Sequence, residues 1–127
     1  IGKIMRKILS GETDLDIIND SFGSPTYAKD LLEGIKKLLS LNSKGIYHMV
    51  NKATEGCSRY DIAMAIKEAL KRKDLNIKPA SHDRFDLSAP RARSEELENF
   101  RLQQAGFDFM RPWKDALREY LMEAWNL

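Results

Sequence analysis

One cysteine and two histidines among 127 residues leave little material for thiol or metal chemistry. Cys57 alone cannot close an internal disulfide, and such thiol scarcity fits a reducing cytosol. His48 and His82 stand far apart, and neither has a cysteine pattern beside it, so no metal site is expected. No apolar run approaches the ~20 residues that span a bilayer, so no membrane partner is expected. A charged leader followed by an apolar core is also missing, which removes a secretory signal. Excess charge of one sign is lacking too. Lys plus Arg is 21 against 19 for Asp plus Glu, net +2, which gives no basic stripe for nucleic acid. The seven glycines never fall into G-x-G-x-x-G or G-x-x-x-x-G-K-[ST], and no G-x-S-x-G elbow occurs. A complete catalytic apparatus is therefore absent from this sequence.

What is present reads as one globular domain, with 43% hydrophobic and 31% charged residues. A chain of this length buries roughly two-thirds of its unfolded surface. It opens on "IGKIMRKIL", where Ile1, Ile4, Met5, Ile8 and Leu9 already keep helical spacing with no cap in front. We therefore expect a piece of a longer chain. "DLDIIN" predicts a short strand, and Thr26 is placed to cap a helix from about Tyr27 to Leu41. That helix carries Leu31, Leu32, Ile35, Leu38 and Leu39 on one face. "GIYHMVN" is apolar on both sides and predicts a strand covered by helices. Ser58-Arg-Tyr-Asp61 fits a capping box with Asp in the acidic position and opens a third helix.

"NIKPA" predicts a short strand, and Pro79, which cannot donate to a ladder, makes it an edge or a strand end. Residues 81–93 show no periodicity and predict a loop. A short helix is expected within about Glu95 to Ala105, stopping at Gly106. The last helix would start with Pro112 at its first position and carry a stripe from Trp113 to Trp125, read as core. Alternation of this kind argues for an α/β unit with parallel strands. Three short strands are few for five helices. An apolar face should therefore stay uncovered or be buried by another copy of the chain, which makes self-association an expectation.

The candidate binding groups cluster in two places. "NDSFGSPTYAKDL" carries a strand into a helix through Gly23, Ser24, Pro25 and Thr26, and open α/β sheets place ligands at such strand ends. Gly23 would allow an unusual φ, and Pro25 would stiffen the approach. Arg84, Arg91 and Arg93 lie in the aperiodic segment, where guanidinium forks suit phosphate oxygens. On charge counting alone, pairing with Asp83, Asp86, Glu95 or Glu96 is the simpler account. Cys57 beside a helix start could be a reactive thiol, but with no histidine partner in view it reads as an ordinary one. Tyr27 and Lys29 stand two apart, and no tyrosine has a lysine four residues later.

Taken together, five blocks in order carry a resemblance. They are "NDSFGSPTYAKDLLEGI", "GIYHMVN", "CSRYDIAMAI", "APRARSEELENFRLQQAG" and "MRPWKDALREYL". This series resembles the dTDP-4-dehydrorhamnose reductases, a branch of the extended short-chain dehydrogenase/reductase family, over nearly the whole chain. The resemblance implies the C-terminal part of a Rossmann-like α/β fold, with few short, mainly parallel strands and about five helices. It implies that residues 1–127 are a substrate-binding portion and that an amino-terminal dinucleotide-binding half is absent from this chain. The implied reaction is NAD(P)H-dependent reduction of a nucleotide-linked 4-keto sugar, dTDP-4-dehydrorhamnose to dTDP-rhamnose, in rhamnose and cell-surface polysaccharide biosynthesis in the cytoplasm. The cofactor would belong to the full-length parent, with none bound to this fragment. No catalytic residue is expected here, because the Gly-rich turn and the Tyr-x-x-x-Lys pair lie in the missing half. Within the matching block, Arg91 or Arg93 would contact the pyrophosphate of the nucleotide-sugar substrate, and Gly23–Thr26 would border the sugar. A parent lacking Tyr-x-x-x-Lys would instead be a silent, reductase-like binding or regulatory subunit.

Overall fold

The computed structural model describes residues 1–54, 56–85 and 92–126. They form two units, which the chain enters alternately. The first comprises Ile1–Gly23 and Cys57–Glu95, and the second Ser24–Gly56 and Glu96–Leu127.

The first unit is built on two parallel strands, β1 (Asp14–Ile18) and β3 (Asn76–Ala80), with Leu15 opposite Ile77 and Ile18 opposite Ala80. Those four residues are buried, while the intervening Asp14, Asp16 and Lys78 face water. Buried positions three apart point to opposite sides of a strand, so both faces of this sheet carry buried residues. Pro79 sits on β3 opposite Ile17, as an edge strand tolerates. Helix α3 (Arg59–Ala69) packs on both strands and buries Ala63 and Ile66. It starts sharply because the sequence writes its own cap. Ser58 Oγ accepts from Asp61 N at 3.2 Å while Asp61 Oδ2 accepts from Ser58 N at 2.8 Å. Helix α1 (Gly2–Leu9) buries Met5 and Ile8 and leaves Leu9 exposed. A second, two-residue pairing joins β2 (Phe22–Gly23) to β4 (Ser94–Glu95), also parallel. The expectation of few short, mainly parallel strands with five helices holds among the described residues.

The second unit contains α2 (Ala28–Ser40), α4 (Phe100–Gln104), α5 (Trp113–Trp125) and an extended run before Lys52. Helix α5 buries Trp113, Ala116, Leu117 and Leu121, the core of the expected stripe, with Trp125 half-buried and Ala124 exposed. Pro112 is the residue just before this helix rather than its first, with extended ψ of 141°. Helix α4 is shorter than expected, since Ser94 and Glu95 join β4. It ends as expected at Gly106, whose φ of +73° favours glycine.

Three expectations fail in this unit. "GIYHMVN" is not a strand. The edge of this run is met by a side chain and a loop: Asn99 Oδ1 accepts from Val50 N at 2.8 Å, and Asn99 Nδ2 donates to Val50 O at 2.9 Å. Lys52 N donates to Arg111 O and Lys52 O accepts from Trp113 N, a single parallel bridge to Pro112. Ile46 is 79% exposed, so the run is not covered on both faces either.

Thr26 does not cap α2. Its Oγ1 donates back to Ser24 O at 3.1 Å, and Tyr27 occupies the cap position with no side-chain bond. The apolar face of α2 is largely bare, an uncovered face of the kind expected, with Leu32, Ile35 and Leu39 exposed and only Gly34 buried. Gly34 is where the helix closes on its neighbours. A Cβ there would lie 2.9 Å from Phe109 Cε2 and 3.0 Å from Met49 Sδ.

Candidate functional site

The turn that leads into α2 is held more tightly than its composition suggests. Gly23, at the end of β2, donates its N–H to Cys57 O at 2.9 Å and pairs with Glu95. It does not use a positive φ, so the expected conformational role is corrected: the positive-φ glycines are Gly11, Gly45, Gly56 and Gly106. A Cβ at Gly23 would meet nothing within 4 Å.

Ser24 Oγ accepts from Leu97 N at 2.8 Å and donates to Leu97 O at 3.3 Å, a two-point tether. Thr26 Oγ1, already donating to Ser24 O, accepts from Asn51 N at 3.4 Å. Pro25 between them is half-buried. The hydroxyls of Ser24 and Thr26 thus serve the fold first.

Beyond the turn, charged groups converge from α2 and α5. Tyr27 Oη donates to Glu123 at 2.7 Å, and Lys29 Nζ reaches Glu119 at 2.7 Å and Glu123 at 2.6 Å. Arg111 bridges Asp30 at 2.8 Å and Glu119 at 2.6 Å. The hydrogen bond to Glu123 raises the Tyr27 phenol above its ordinary value, and the two carboxylates raise Lys29. In return, Lys29 and then Arg111 hold Glu119 low, while Lys29 and Tyr27 hold Glu123 low.

This has an acid signature with a definite sign. Both glutamates sit below their ordinary 4.5 when folded. Their stabilisation is therefore complete above that value and lost as pH falls through the lowered values. Because these groups lie at the surface, the effect is modest. The double substitution Glu119→Gln, Glu123→Gln should flatten the fall of Tm between about pH 5 and pH 3 relative to the parent chain. An unchanged slope would show that other carboxylates govern acid unfolding.

In the first unit the aperiodic segment also has order. His82–Arg84 form a short 3-10 turn capped by Ser81. Arg93 donates through Nη1 to Asp20 Oδ2 at 2.6 Å and through Nη2 to both Asp83 oxygens at 2.9 and 2.8 Å. Asp20 further accepts from Ser81 Oγ at 2.8 Å and His82 N at 2.7 Å, and those bonds, with Arg93 behind them, hold it low. Arg84 pairs with Asp16 at 2.9 Å. Arg91 lies outside the described residues. Of the expected binders, the structure therefore brings Arg93 beside β2, where its carbonyl accepts from Phe22 N, and commits its guanidinium to two carboxylates. Asp20, Asn51, Arg111 and Glu119 were missed in the sequence. Only Asp20, in the strand-exit run "NDS", left a local sign. Cys57 is buried, with its Sγ 3.7 Å from Ser58 O.

Among the described residues no group of three His, Cys, Asp or Glu side chains could hold a metal ion, and no helix is long and apolar enough to cross a membrane. The carboxyl end of β1 meets Asp20, not a glycine-rich cradle. A carboxylate there does not suit a dinucleotide phosphate.

The short parallel strands with helices define an α/β architecture. The family model described as the RmlD substrate binding domain matches residues 1–125, and the chain belongs to that family. It is 36% identical over 119 residues to the spore coat polysaccharide biosynthesis protein SpsK of Bacillus subtilis, covering 94% of this chain and 40% of that protein. It is 33% identical over 116 residues to the dTDP-4-dehydrorhamnose reductase of Mycolicibacterium smegmatis, covering 91% of this chain and 35% of the relative. Among solved structures, the Bacillus anthracis dTDP-4-dehydrorhamnose reductase in complex with NADP superposes with a TM-score of 0.85 at 28% identity, over 96% of this chain and 42% of that one. The Clostridium acetobutylicum enzyme of the same name gives 0.86 at 27%, over 98% and 43%. The chain thus spans about two-fifths of the length of the relatives it matches.

Proposed function

We propose that this chain is the substrate-binding part of a longer NAD(P)H-dependent reductase acting on a dTDP-linked 4-keto sugar, the dTDP-4-dehydrorhamnose to dTDP-rhamnose step. The observation that carries this reading is the family match across residues 1–125. NAD(P)H would supply the hydride, held by an amino-terminal half, because this chain offers neither a glycine-rich turn nor a Tyr-x-x-x-Lys pair. The chain's own part is to bind and orient the sugar nucleotide. Gly23 supports that role, since neither a positive φ nor close packing explains a glycine there. The missing side chain leaves room for a ligand to approach the backbone. Ser24, Pro25 and Thr26 would shape the wall beside the sugar, and their tethers to Leu97 and Asn51 would keep that wall in place. Arg91 would supply the forked donors for the pyrophosphate, with Arg93, already engaged by Asp20 and Asp83, steadying the segment that carries it. The reaction would take place in the cytoplasm, where a single buried thiol stays reduced.

The test joins this chain to its proposed amino-terminal half and follows NADPH absorbance with dTDP-4-dehydrorhamnose. The complete polypeptide should consume NADPH, and this chain alone should not. Turnover by the chain alone would sink the proposal. So would silence from a complete polypeptide that carries Tyr-x-x-x-Lys.

A further inference from the structure

We infer that Asn51 is a positioning residue for the sugar-binding turn, acting as a remote cap on α2. The inference rests on the reading of Gly23–Thr26 as sugar wall proposed above.

Asn51 has no exposed surface, and its carboxamide hydrogen-bonds on both sides. Oδ1 accepts from Tyr27 N at 2.8 Å; Nδ2 donates to Asp30 Oδ2 at 2.7 Å and to Arg111 O at 3.2 Å. Its backbone N–H adds the bond to Thr26 Oγ1. The orientation is fixed by chemistry, because the oxygen faces an N–H while the nitrogen faces a carboxylate and a carbonyl. Helix α2 lacks a side-chain cap of its own, and Tyr27 N is the amide at its cap residue. A side chain distant in sequence thus does what the N3 Glu or Gln of a capping box does locally, accepting from the N–H of the cap residue.

The turn is then pinned at both ends, with Ser24 on Leu97 and Thr26–Tyr27 on Asn51. Loss of the second pin frees the backbone that would meet the sugar but removes no group that gives or takes the proton. Such contacts serve ground and transition states alike, so their loss belongs in KM.

The closing experiment uses the complete polypeptide with dTDP-4-dehydrorhamnose and NADPH. Asn51→Asp keeps the acceptor for Tyr27 N but sets a carboxylate against Asp30. It should raise the sugar-nucleotide KM about tenfold, leave kcat within about threefold and leave the NADPH KM within about twofold. The paired variant Asn51→Asp, Asp30→Asn exchanges donor and acceptor, and should return KM to within about threefold of the parent. Amide exchange at Tyr27, compared with Ile66 in α3, reports the pin itself and should quicken in the single variant only. A Tyr27 amide that quickens while KM stays put would overturn the positioning role. So would a folded paired variant without recovery of KM. An inactive parent polypeptide would instead remove the reductase reading, and this inference with it, before any variant is compared.

Discussion

Leu15→Ala will lower the unfolding free energy of the chain by about 2–5 kcal/mol, the range for a buried leucine cut back in a packed core. Leu15 is 2% exposed and lies opposite Ile77 on β3, in a strand that α3 packs against. Two short strands give the sheet little else to collapse into the vacancy. The cost should therefore fall in the upper half of that range. Urea unfolding followed by far-UV circular dichroism measures it, with Leu39→Ala as the comparison. Leu39 is 74% exposed, so its truncation should stay within about 0.5 kcal/mol of the parent. Equal losses at the two positions would mean that the β1–β3–α3 layer is not where the core lies.

What could be read from the chain divides by the range of the interactions involved. The α3 start was legible because a capping box is local: Ser58 and Asp61 satisfy each other within one turn. The α5 stripe was legible because it follows from the period of one element. "GIYHMVN" misled because an apolar run shows only that a segment is buried or extended, not what it bonds to. Its partners are an asparagine side chain and the residues around Pro112, well over forty positions on.

The cap of α2 misled for a related reason. Thr26 has the right residue type at the right place, yet its hydroxyl turns back to Ser24 while Asn51 takes the amide of Tyr27. Side chains with several donors and acceptors are chosen among by tertiary contacts, and a sequence window cannot rank them. The arginines repeat the lesson. Their aperiodic setting was visible, but that Arg93 would meet Asp20, seventy-odd positions upstream, was not. The resemblance to the reductases survived these local errors because it rests on five blocks in order rather than on any one element.

Arg91→Ala, in the complete polypeptide, should raise the KM for the sugar nucleotide roughly tenfold or more with kcat little changed. A nucleoside diphosphate carries adjacent charged phosphates, whose desolvation must be matched by charged donors. A charge-assisted hydrogen bond of this kind contributes roughly 1.5–3 kcal/mol, which sets the scale of the expected change. The pyrophosphate is remote from the reacting carbonyl, so the loss should be the same in ground and transition states. Arg93→Ala should behave differently. Its guanidinium is held by Asp20 at 2.6 Å and Asp83 at 2.8 Å, and those carboxylates raise the guanidinium further above its ordinary value. A cation already facing two anions offers a third anion little net field. Its removal should instead loosen the pairing of β2 with β4, to which its backbone carbonyl belongs through Phe22 N. The expected signature is faster amide exchange at Phe22 with a sugar-nucleotide KM within about threefold of the parent. Reversal of the two results, with Arg93→Ala carrying the KM effect, would move the phosphate contact to Arg93 and require its ion pairs with Asp20 and Asp83 to break on binding. If neither substitution moves KM by more than twofold, neither arginine meets the pyrophosphate.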